Sequence, residues 1–187
     1  MKKIYLLSFL SLAFTNFSQA QVTLSEANGQ YVYTEKFTVE PTSSDDLKER
    51  AWQWCAQRYR FAKEVSKKER RSSERIVTNA RHEIQLPSST GPRAVQMFYT
   101  LEIAFEESGY RYQVSNVRFR TYDDPLLKES SDIFTVEMML GKPGEEVSKA
   151  ANPLVQLYMD ATHTYFDHLL THLKSSINRP PVVLAKN

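Results

Sequence analysis

Cysteine is nearly missing from this chain of 187 residues: Cys55 stands alone, so no intramolecular disulfide is available and packing has to hold the fold. Signatures of known chemistry are missing too. There is no G-x-S-x-G, no P-loop, no C-x-x-C and no EF-hand spacing. His82-Glu83 begins like a metalloprotease helix, but Leu86 stands where the second histidine belongs, and the segment reads as strand. No apolar run reaches the roughly 20 residues of a membrane-spanning helix. An excess of one charge is also lacking. The first twenty residues carry Lys2 and Lys3 and no acid; without them the 24 basic and 22 acidic residues become 22 of each. A neutral chain has no global field for a polyanion, which argues against nucleic acid as a partner.

What is present starts at the amino terminus. Lys2 and Lys3, the apolar run Ile4 to Phe14 and then Ser18-Gln19-Ala20 form a secretory signal peptide with a small-x-small cleavage site. Gln21 rather than cysteine follows, so no lipid anchor is expected. The sequence thus predicts a signal peptide over 1–20, one domain over 21–178 and a loose tail over 179–187, with the mature protein periplasmic or secreted.

Asn28-Gly29 is a turn pair, and Tyr31, Tyr33, Phe37 and Val39 make one apolar face of a strand on which Glu35 is the exception. After Pro41, Ser43 and Asp46 resemble a capping box. Leu47, Ala51, Trp54 and Cys55 then predict a helix from about Ser44 to Phe61, with Cys55 as an inert core thiol on its stripe. Lys63 to Arg75, with six basic and three acidic residues, reads as a solvated connector. Three strands follow. Ile76, Ala80, His82, Ile84 and Leu86 share a face of the first, and Met97, Tyr99, Leu101, Ile103 and Phe105 a face of the second. In the third, Tyr110, Tyr112 and Val114 have one parity and Val117 and Phe119 the other, which predicts a β-bulge near Ser115-Asn116. The run Ile133 to Leu140 is a short edge strand or a helical turn, between turn-rich stretches within 122–152. From Pro153 a long helix extends to about residue 178, roughly 37 Å if 25 residues long. Its apolar arc includes Leu154, Tyr158, Phe166, Leu169, Leu170 and Ile177, with Asp160, Asp167 and Lys174 opposite.

The expected architecture is α+β: a curved antiparallel sheet of four or five strands, a helix after the first strand and a long C-terminal helix packed on the sheet. Gly29-Gln30-Tyr31-Val32-Tyr33, the helix with Ala51-Trp52 and Trp54, and the hairpin Glu107 to Val117 resemble the domain-of-unknown-function family 4468. The resemblance spans about Gly29 to Tyr122; Glu107-Ser108-Gly109 stands where that family usually has a Lys-Asp-Gly type of turn. It implies a TBP-like fold and the secreted or envelope setting of Bacteroidota proteins, and it implies no activity and no functional residues.

Candidate sites are correspondingly few, and no catalytic residue, cofactor or metal ligand is assigned. His168 and His172, four apart on one helical face with His163 and Asp167 nearby, have zinc-chelating spacing but lack a third ligand and sit at the flank of the apolar arc. The aromatics, ten Tyr, ten Phe and two Trp, either cover the seam between sheet and helix or, with Trp52 off the stripe, receive a sugar or peptide. The residues point first to an exported, non-catalytic module binding a protein, peptide or glycan. An exported metal protein or hydrolase using His168 and His172 comes second, and nucleic-acid binding third.

Overall fold

A computed structural model describes residues 24–27, 30–39, 42–59, 73–89, 91–120, 133–141 and 152–179. The predicted signal peptide, most of the basic connector, the 121–132 stretch and the expected loose tail beyond Arg179 lie outside the described residues. The elements are β1 (Leu24–Ala27), β2 (Gln30–Thr38), α1 (Ser44–Arg58), β3 (Arg75–Leu86), β4 (Arg93–Glu106), β5 (Gly109–Arg120), β6 (Ile133–Thr135), α2 (Val136–Leu140) and α3 (Pro153–Ile177). They form one antiparallel sheet in the order β1-β2-β5-β4-β3, with β6 also on β5. The fold class is therefore the expected α+β, with corrections of detail. The sheet has six strands rather than four or five, and α1 follows the second strand because β1, too short to show a period, precedes it.

The local chemistry of each element matches its place. Alternation in β4 buries Val95, Met97, Tyr99, Leu101 and Ile103 and turns Gln96, Thr100 and Glu102 outward. Ser43 caps α1 by accepting a hydrogen bond from the Asp46 N–H at 3.2 Å. That helix stops at Arg58, short of the expected Phe61, because Tyr59 adopts extended backbone (φ −124°, ψ 127°). The predicted bulge is present: Tyr99 of β4 faces two residues of β5, Asn116 and Val117, and Asn116 takes φ 53°. This left-handed step lets Tyr110, Tyr112, Val114, Val117 and Phe119 all reach the same core.

The bulge also divides the outer side of β5. Before it, residues 109–114 pair with β2; beyond it, 118–120 pair with β6. The run 133–140 is thus both alternatives in turn, three residues of strand and then α2, capped by Thr135 Oγ1 accepting from the Met138 N–H at 3.2 Å. In the β4–β5 hairpin a two-residue turn joins Glu106 to Gly109. Gly109 lies so close to β2 that a Cβ there would sit 1.8 Å from the Phe37 carbonyl oxygen.

Both long helices cover one face of the sheet. Asn152 caps α3 through its side chain, and Arg50 of α1 donates to the carbonyls of Ile177 (3.0 Å) and Arg179 at its other end, where a cation complements the helix dipole. Among the described residues no helix is long and apolar enough to cross a membrane.

Candidate functional site

The space between sheet and α3 is occupied by rings. Phe166 packs 4.8 Å from Tyr33 and 5.2 Å from Tyr99, and Tyr158 packs 5.1 Å from Phe119 and 5.2 Å from Phe134, all as tilted or edge-on pairs. Trp52, the aromatic that lay off the helical stripe, is 7% exposed and belongs to this core. The seam reading of the aromatics is therefore the one realised at Trp52. Cys55 is fully buried on the stripe, and burial pushes its thiol up to about 12, so it carries no thiolate at neutral pH.

The histidines of α3 have three different surroundings. His163 takes a 3.0 Å hydrogen bond between Nδ1 and the Tyr33 hydroxyl, and burial holds its imidazole below the ordinary range. His172 accepts from the Trp54 indole N–H at 2.8 Å through Nδ1. An indole only donates, so the ring hydrogen of His172 sits on Nε2 and Nδ1 is occupied. His168 is exposed. Among the described residues no group of three or more His, Cys, Asp or Glu is arranged around a common point.

Two arrangements were not legible in the sequence. The first explains Glu35, the acid on the apolar face of β2. Its Oε2 accepts from Tyr112 Oη (2.9 Å) and from Lys174 Nζ (3.0 Å), and the same ammonium lies 4.8 Å from the centre of the Phe37 ring. Lys174, expected on the polar side of α3, instead reaches inward to the sheet, its stem covering apolar surface.

The second lies where the end of α1, the β3 edge of the sheet and the middle of α3 meet. Tyr99 Oη bridges Tyr59 Oη (3.0 Å) and Tyr165 Oη (2.8 Å). Burial, reinforced by the neighbouring phenols, raises the Tyr99 hydroxyl far above its usual range, so it stays protonated and cannot act as a base. The His82 ring stacks on Tyr165 at 4.0 Å and 17°, and the Arg58 guanidinium interacts with the Tyr165 oxygen while lying 6.0 Å from the Trp54 ring centre. Arg58 and His82 are both exposed, whereas Tyr99 beneath them is buried. Partial burial of the stacked ring, followed by the Arg58 charge, holds the His82 imidazole below its ordinary range. Sequence did place His82 on the core-facing side of its strand, but its partner 83 positions away on a helix left no periodic trace.

The sheet face away from the helices is polar and mixed in charge. Lys36 pairs with Glu106 at 2.6 Å and Arg75 approaches Glu102 at 3.9 Å, while Arg120 lies 5.8 Å from the Phe98 ring centre.

Comparison with known proteins fits this architecture. Among curated proteins none matches the chain. A crystal structure of a TBP-like protein from Parabacteroides distasonis ATCC 8503 superimposes with TM-score 0.57 at 15% identity, covering 83% of this chain and 97% of that one. One of a DUF4468 family protein from Bacteroides ovatus ATCC 8483 superimposes with TM-score 0.60 at 12% identity, covering 85% and 92%. At such identities the likeness is one of fold. The family model described as "domain of unknown function (DUF4468) with TBP-like fold" matches residues 33–120, from the middle of β2 to the end of β5. Over that segment, which holds α1 and the four-strand heart of the sheet, the chain matches the DUF4468 family of TBP-like fold.

Proposed function

We propose that this chain is an exported, non-catalytic module that binds a protein, peptide or glycan on its exterior. One observation carries the reading: Cys55 is turned inward, and most of the other groups with reactive potential in the seam between sheet and helices are engaged with one another. Cys55 is buried, Tyr33 and Trp54 hold His163 and His172, and Tyr59, Tyr99 and Tyr165 bond among themselves. The signal-peptide pattern over 1–20 and the equal charges of the remainder support action outside the cytoplasm with an uncharged or mixed partner. Screening the purified mature protein against arrayed peptides and glycans tests the reading. Saturable binding with the ligand recovered unaltered is expected, and turnover of an ester, peptide or glycoside would contradict it.

The metal reading rests on His168 and His172 and has one supporting feature, the exposure of both residues. The Trp54 bond to His172 Nδ1 weighs against it. Elemental analysis separates the two readings. The binding module carries no stoichiometric metal; close to one ion per chain, lost in the double variant H168A/H172A, would place metal chemistry first. Nucleic acid ranks last, because a neutral chain offers only local phosphate contacts; any DNA binding should disappear as salt rises.

A further inference from the structure

We infer that Arg58, His82 and Tyr165 form a binding site for a small oxyanion, a carboxylate or phosphate group, at the seam between α1, β3 and α3. The inference gives the binding reading a ligand class at one place on the surface, and so it rests on that reading.

The composition of the cluster carries it. A guanidinium, an imidazole and a phenol come together at this seam, and among the described residues no carboxylate pairs with Arg58. Cations that lean on a protein surface ordinarily find an acid. Here Arg58 has a phenol oxygen and an indole face, neither of which neutralises its charge. The charged groups facing His82 are Arg58 from α1 and Glu83 on its own strand; Tyr165 comes from α3, and the register partner of His82 on β4, Met97, is uncharged. Glu83 lies on the other face of β3, where it accepts from the Gln85 amide at 3.0 Å. The ring stack fixes the imidazole plane, and the Tyr99–Tyr165 bond fixes the phenol, so both rings are in place before any ligand arrives.

An oxyanion between Arg58 and His82 would complete this arrangement. The guanidinium offers two parallel N–H groups to it, and the protonated imidazole a third donor. Its negative charge would offset the Arg58 repulsion that now disfavours the imidazolium, so binding and protonation of His82 reinforce one another. Affinity therefore rises as pH falls through the ordinary imidazole range near ~6.5.

The test is a titration of the full mature chain with sodium phosphate and, separately, sodium acetate at constant ionic strength, following the His82 ring resonances by NMR across pH. The expected result is a saturable shift with an upward move of the His82 midpoint, absent with chloride. It should weaken at least about tenfold in Arg58→Gln, which keeps the stem length and removes the charge. Saturation by acetate alone identifies a carboxylate site, and saturation by phosphate alone or by both a site for phosphate-sized oxyanions; each supports the inference. A response equal to that of chloride, or undiminished in Arg58→Gln, overturns it. Tyr165→Phe provides a second variant that keeps the His82 stack and removes the hydroxyl; unchanged anion affinity in it would remove Tyr165 from the site. None of these failures bears on partner binding elsewhere on the surface, which metal content or substrate turnover would contradict instead.

Discussion

Glu35 shows how far a single side chain can depart from its strand pattern when the missing partner comes from elsewhere in the chain. An acid on the inward face of β2 is tolerated because Lys174, 139 residues away, meets it at 3.0 Å with a side chain only 21% exposed. Replacing Lys174 by Met leaves the carboxylate with Tyr112 alone, and a loss of about 1 kcal/mol in urea unfolding is expected. Cys55 makes a second prediction at this scale. With burial raising its thiol to about 12, native protein should react slowly with a thiol reagent and rapidly once unfolded; fast native labelling would contradict the core placement. The histidines give a third, with a definite sign. His82 and His163 both titrate below their unfolded value because burial penalises the imidazolium. The unfolded chain thus takes up protons first as pH falls through ~6.5, and stability declines on the acid side of that value. Urea midpoints at neutral and mildly acidic pH should show that decline, and His163→Gln should lessen it.

Elements were legible in proportion to their length. The 14 residues of β4 and the 25 of α3 repeat their periods often enough to fix type and facing, and in β5 the change of parity between Val114 and Val117 located the bulge. β1 and β6, four and three residues long, complete no such repeat. Their existence depends on neighbours that offer a free strand edge. The Tyr59–Tyr99–Tyr165 cluster was hidden for a related reason. It joins a helix end, a central strand and a distant helix, and no pattern within any one of them encodes the meeting. At the hairpin, close approach rather than turn geometry demands Gly109, so Gly109→Ala should cost about 1–3 kcal/mol by pushing β2 away from β5. An unchanged melting temperature would show that the strands separate there without cost.

At the level of the whole molecule, the long helix lies on the sheet over a continuous set of rings that includes Tyr33, Tyr99, Phe119, Tyr158 and Phe166. The proposed export would set where the exterior operates. Amino-terminal sequencing of protein recovered from the envelope or medium should begin at Gln21, and uncleaved chain in the cytosol would contradict secretion. The central claim, that recognition belongs to the outer surface because the seam between sheet and α3 is filled, is open to one direct measurement. Native protein and Phe166→Ala are titrated with a small apolar fluorescent probe. Phe166 fills the space between Tyr33 and Tyr99, so its truncation should cost about 3–5 kcal/mol and open a cavity that the probe can enter. Saturable binding by the variant and none by the native protein is the expected result; stoichiometric binding of the probe by the native protein, displaced by bulkier side chains at Phe166, would mean that the seam is a ligand cavity after all.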